Sequence, residues 1–227
     1  MNSSPNRSGV TANYDHIRTL VFQRKALNAI GVLVRQLETV NLRFHHVAKD
    51  VTADLMTASV SPRSNPVGFL LWHMARSQDW AVHTAIRGVP EIAWTAPWSE
   101  MAGISTPGIG TGFSPAAARE VATRADLSEL MDYADAVNTA AVAWVRGLNE
   151  ADLDSIPDVA AHDAGIPAYQ TREFLAEMDS GPEHDQAVGS VGGQPVWLFL
   201  TSVSVTHLHR HLGELDLTLG VLKGRAG

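Results

Sequence analysis

What most constrains this chain is the period of its apolar residues, which return every three or four positions over long stretches and never settle into a sustained alternation. From about Tyr14 to Val51, Leu20, Leu27, Ile30, Leu33, Val34, Leu37, Val40 and Phe44 follow that rhythm, while Arg24, Lys25, Arg35, Glu38 and Arg43 take the opposite face. A stripe of this period is buried by a helix and by no strand, so the core must be built from helices. Further helices are announced by start and stop signals. Asn65-Pro66 opens a second, with Asn as N-cap and Pro in the first turn; it runs to Arg87, where Gly88 and Pro90 end it. Ser114-Pro115 opens a third, running to about Gly147 with Val121, Leu130, Tyr133, Val137, Ala141 and Trp144 as its inner stripe. The last begins at Pro195 and stops at Gly224.

Two connections are long. Residues 89–113 are rich in Gly and Pro and carry Trp94 and Trp98, and a loop of that length is expected to pack over something or to have a task. Residues 149–193 are rich in Asp, Gly and Pro, with one short helix expected from Gln170 to Met178. The expected fold is all-α, a four-helix bundle with long crossover connections, forming a single domain over residues 13–224 behind a disordered tail at 1–12.

Composition narrows the chemistry. With 227 residues, 45% of them apolar, the chain can bury one core, and 18% charged residues is too few for a disordered or coiled-coil composition. There is no cysteine, which excludes disulfides, thiolate metal ligands and a cysteine nucleophile. A metal must be held by His, Asp or Glu, and thiol chemistry must use a thiol from outside. The net charge is −7, the only lysines are Lys25, Lys49 and Lys223, and no basic cluster exists, so no nucleic-acid partner is expected. Met1 to Thr11 is polar and unlike a signal peptide, and no apolar run reaches ~18 residues; a cytoplasmic protein without a membrane partner is expected.

The segment from Val205 to Leu215 holds the most informative residues. His207 and His211, four apart on a helix, stack one turn apart on one face and can reach a common ion, whereas His209 points away. Glu214 shares their face. A third ligand must come from another helix, and His73 lies in the apolar run Phe69-Leu70-Leu71-Trp72-His73, where burial obliges its ring nitrogens to find partners. Three neutral imidazoles would leave the ion its charge and open positions, as in a catalytic site. Imidazole suits zinc, nickel, copper and iron, with zinc or nickel the expected ion. Glu214 is the candidate catalytic residue, orienting a ligand imidazole or moving a proton; its alternative is a salt bridge to an arginine of a neighbouring helix. Trp72, Trp80, Trp94 and Trp98 line either a pocket mouth or the core. His45 and His46 read as surface or supporting residues, His83 as turned off the face of His73, and His162 and His184 as solvated in polar loops.

At these residues the chain resembles the DinB-like superfamily of metal-binding four-helix bundles. Asn65-Pro-Val-Gly-Phe-Leu-Leu-Trp-His73-Met-Ala-Arg-Ser-Gln-Asp-Trp80 is similar to the family's second-helix motif, and His207-x3-His211-x-Gly213-Glu214 to its last-helix motif, where the final polar residue is often Gln. The resemblance spans residues 20 to 224. It implies a metal triad of His73, His207 and His211, a low-molecular-weight thiol such as mycothiol or bacillithiol as cosubstrate, an electrophilic small molecule as second substrate, and a homodimer. The activity so implied is a metal-dependent thiol S-transferase. The mycothiol-dependent maleylpyruvate isomerases of the family place Glu where this chain has His207, which favours the transferase. Alternatives are a non-catalytic metal-binding stress-response protein and a helical bundle whose histidines meet by chance.

Overall fold

The computed structural model describes residues 28–164 and 193–225. The expected tail at 1–12, the short helix at 170–178 and His184 lie outside them. Among the described residues there is no strand, and the chain is all-α. None of its helices is long and apolar enough to cross a membrane.

Helix α1 spans Ala29–Ala48, where Asn28 is extended and its side chain accepts the Gly31 amide at 2.8 Å; the part of the expected first helix before Asn28 lies outside the described residues. Helix α2 spans Val67–Asp79 and continues as a π-helical segment, Trp80–Ile86. Its N-cap position is held by Pro66 and not by Asn65, and no side chain caps it. The single third helix expected from 115 to 147 is two. Helix α3 spans Pro115–Arg124, Ala125 is extended, and α4 spans Leu127–Arg146 behind Asp126, whose carboxylate accepts the Glu129 amide at 3.0 Å. The Asp126-Leu-Ser-Glu129 sequence is a start signal that outweighs the continuing apolar stripe. Short helices α5 (Glu150–Leu153) and α6 (Val159–Ala164) follow. The last helix, α7, starts as Val196–Phe199, passes through a π-helical segment at Leu200–His207, and ends as Leu208–Arg225.

The long helices close a ring: α1 packs on α4 and α7, and α2 packs on the same two from the other side. The two π-helical segments face each other. Leu37, Val40 and Phe44 of α1, Leu130, Tyr133 and Val137 of α4, and Leu208, Leu212 and Leu215 of α7 fill the interior, each worth about 1.5–3 kcal/mol where it is a fully buried aliphatic or Phe side chain.

Helix α2 is exceptional in being buried on every side from Val67 to Ile86. The 89–113 connection makes this possible by covering its outer face. Trp72 donates to the Ile104 carbonyl at 3.4 Å, and Gly110, at φ +91°, sits so close that a Cβ would lie 2.8 Å from the Phe69 ring and 2.9 Å from that of Trp72. Trp72 and Trp80 are core, and the half-buried Trp94 and Trp98 pack against it. The aromatic residues therefore pack as part of the core. His162 likewise is no solvated loop residue: it lies on α6 and donates from Nδ1 to the Ala85 carbonyl at 2.9 Å, its ring filling the space beside Gly88 at φ +63°.

Candidate metal centre

A helix buried all round must satisfy every polar side chain it carries, and α2 carries His73, Arg76, Ser77, Gln78, Asp79, His83 and Thr84. His73 faces α7. Its Nε2 lies 3.2 Å from Nε2 of His207, which in turn lies 3.0 Å from Nε2 of His211. The three rings stand at 84–89° to one another with centroids 4.6–5.0 Å apart. Among the described residues they form the only cluster of three or more His, Asp or Glu side chains arranged to hold an ion. His207 ends the π-helical segment while His211 lies a full α-turn beyond, so the four-residue spacing keeps its stacking geometry. The structure thus brings together the three histidines singled out in the sequence, and Glu214 with them.

The protons can be placed from the outer nitrogens. His73 Nδ1 donates to the Ile109 carbonyl at 2.5 Å, and a carbonyl only accepts, so Nε2 of the neutral ring carries a lone pair. His211 Nδ1 donates to Glu214 at 2.9 Å. That hydrogen bond, before any other cause, holds the Glu214 carboxyl below its ordinary value, with a side-chain hydrogen bond from Asn65 adding to it; with Nδ1 as the donor, the neutral form of the His211 ring presents a lone pair at Nε2. His207 Nε2 faces both. One N–H cannot point at two acceptors, so at least one of the close contacts sets lone pair against lone pair unless a cation lies between. Nδ1 of His207 is buried without a hydrogen bond of regular geometry.

Charge is also kept off these rings. Burial, aided by the neighbouring His211, holds His73 down to about 4, and burial, aided by His73 and His211, holds His207 down to about 3. Both are neutral at pH 7 and able to ligate. The donor set therefore fits a divalent ion. Nitrogens ~2.0–2.1 Å from a common ion lie about 3.0 Å apart at right angles and about 3.4 Å apart in a tetrahedron. The observed 3.0 and 3.2 Å fall in that range for His207 with each of its two neighbours, and the ligand atoms of all three rings lie within 4.8 Å of one another. The salt bridge weighed for Glu214 is not with an arginine; its partner is His211.

One turn along α2 lies a group to which the sequence reading gave no role. Arg76 meets Glu91 at 2.6 Å and Asp79 at 3.6 Å, and all three side chains are fully enclosed. Tyr133 donates to Asp79 at 2.6 Å, His83 Nδ1 lies 2.8 Å from the other carboxylate oxygen, and Thr84 donates to Glu91 at 2.9 Å. Burial pushes the Asp79 carboxyl up, but the His83 hydrogen bond and the Arg76 charge outweigh it and hold the group below its ordinary value. Burial, followed by the Asp79 charge, pushes the Tyr133 hydroxyl well above its ordinary value. The signal for this group was present in the sequence: Arg76 and Asp79 sit between large apolar residues on all faces of one helix, where charges survive only in pairs.

A family model described as the DinB superfamily matches residues 36–215. No curated protein matches the chain.

Proposed function

The chain belongs to the DinB superfamily, and from that premise we propose that it is a divalent-metal-dependent transferase that joins a low-molecular-weight thiol to an electrophilic small molecule. The observation that carries the reading is the meeting of three imidazole nitrogens from α2 and α7, close enough to one another to share one ion. His73, His207 and His211 hold the ion. Bound there, a divalent ion, zinc or nickel first among the candidates, supplies Lewis-acid lowering of the pKa of an incoming thiol to near neutrality. The chain has no cysteine of its own to compete for the ion, and the thiol, of the mycothiol or bacillithiol kind, comes from solution.

Glu214 keeps His211 in the tautomer that ligates and fixes the rotation of its ring, and the Ile109 carbonyl does the same for His73. Of the two roles weighed for Glu214, this geometry favours orientation. Phe69 stacks parallel to His73, the ring planes 4° apart, and shields that side from water.

Elemental analysis of tag-free protein tests the reading. One zinc or nickel per chain, lost in His211→Ala, is the expected result. A thiol added to cobalt-loaded protein should then give a charge-transfer band and consume a model electrophile. Binding of metal without either response would leave the non-catalytic metal-binding protein as the better account.

A further inference from the structure

The enclosed ionic group and the histidine cluster share a helix, and one loop joins them. Asp79 accepts the backbone amides of Ile92 and Ala93 at 3.1 and 3.0 Å, and Glu91 meets Arg76, so the outgoing arm of the 89–113 connection is tied to α2. Arg76 also donates to the Gly108 carbonyl at 3.3 Å, which ties the returning arm. The next residue, Ile109, is the one whose carbonyl receives the His73 Nδ1 proton. Trp94 lies over the guanidinium at 4.9 Å and closes the group from outside.

We infer that Arg76 and Glu91 are positioning residues of the metal centre: by fastening both arms of the loop to α2 they hold the Ile109 carbonyl against His73 Nδ1 and so keep His73 Nε2 free of its proton and aimed at His207. The inference rests on the metal-binding reading of the three histidines. A buried ion pair adds little net stability over apolar filling. What this one adds is a fixed separation between loop and helix. With the loop lifted, water replaces the carbonyl, the proton distributes over both ring nitrogens, and the Nε2–H form cannot ligate.

The test uses full-length, metal-stripped protein, titrated with Co(II) and followed by visible absorption, with the tautomer of His73 read by nitrogen NMR of the imidazoles. Glu91→Gln keeps the size of the side chain and removes its charge. Gly110→Ala displaces the same loop without touching a charge, since the new Cβ would meet Phe69 and Trp72 at 2.8–2.9 Å, and it carries the test if Glu91→Gln does not fold. Each is expected to weaken Co(II) binding about 10–100-fold and to turn one His73 tautomer into a mixture. Leu37→Ala, a core change on α1, should lower stability and leave Co(II) affinity and tautomer unchanged. A folded Glu91→Gln or Gly110→Ala protein with wild-type affinity and a single His73 tautomer would overturn the inference. Should the wild type itself bind no Co(II), the metal reading fails, and the tautomer comparison still decides whether the loop governs His73.

Discussion

Two polar clusters lie one turn apart on α2 and have opposite characters. Around Arg76, each charge meets its complement: guanidinium to carboxylate, carboxylate to phenol, imidazole and backbone amides, all without solvent. Around His73 the outer nitrogens of two rings are satisfied and the inner ones converge on each other. The first cluster is closed and has nothing left to offer a ligand. The second is closed on its outer side, and its inner nitrogens converge where they could hold a metal ion. Burial alone therefore does not mark a site; what marks it is a set of preorganised donors whose last partner is not a protein group.

The two clusters should respond oppositely to truncation. Asp79→Ala takes the acceptor from the buried Tyr133 phenol, His83 and the Ile92 and Ala93 amides, and should cost about 3–5 kcal/mol in chemical unfolding. His207→Ala removes a ring whose Nε2 can donate to only one of its two neighbours and whose Nδ1 has no hydrogen bond of regular geometry, and should cost about 1 kcal/mol in the metal-free protein while abolishing tight metal binding. Equal losses from the two changes would erase the distinction.

Acid should separate them next. His73 and His207 have folded values of about 4 and about 3, below the ordinary value near 6.5, so the unfolded chain takes up protons first. Their stabilising contribution is present above pH ~6.5 and is lost as the pH falls toward those values, at about 1.4 kcal/mol per unit per ring. Asp79, also held low, keeps its contribution until the pH falls below its unfolded value near ~3.9. Urea denaturation of metal-free protein between pH 7 and 4.5 should thus show a slope that His73→Ala reduces and Tyr133→Phe does not.

A smaller effect is expected from Glu214→Gln. The amide still accepts the His211 proton but without charge, and zinc affinity measured by chelator competition should fall about 10–100-fold with little change in unfolding. Smallest is Asp126→Ala, which removes the cap between α3 and α4 far from either cluster: about 1 kcal/mol in stability and unchanged zinc affinity.

How much of this could be read from the sequence depended on whether a feature was local. The helical period and the Ser114-Pro115 start were local and held. So was His207-x3-His211, because the turn between them is α-helical. Its pairing with His73 came from likeness to a family motif. The break at Ala125 was local too, but the apolar stripe runs through it without interruption and hid the Asp126 cap. The π-helical turn at Leu200–His207 has one trace in the sequence, the Thr201-Ser-Val-Ser-Val-Thr206 run of β-branched and hydroxyl residues that hold an α-helix poorly. What sequence order could not reveal was the path of the 89–113 loop. Ile109 acts through its carbonyl, which any residue possesses, and Glu91 meets Arg76 only once the loop has folded back over α2. Asn65 likewise fits the pattern of a helix cap, yet its side chain is spent on Glu214.

X-ray absorption at the metal edge of the zinc- or nickel-loaded protein tests the convergence of the three histidines most directly. Three imidazole nitrogens at about 2.0–2.1 Å, falling to two in His73→Ala, are the predicted result. A shell without histidine nitrogens, or one unchanged by His73→Ala, would contradict the assignment of one ion to these two helices.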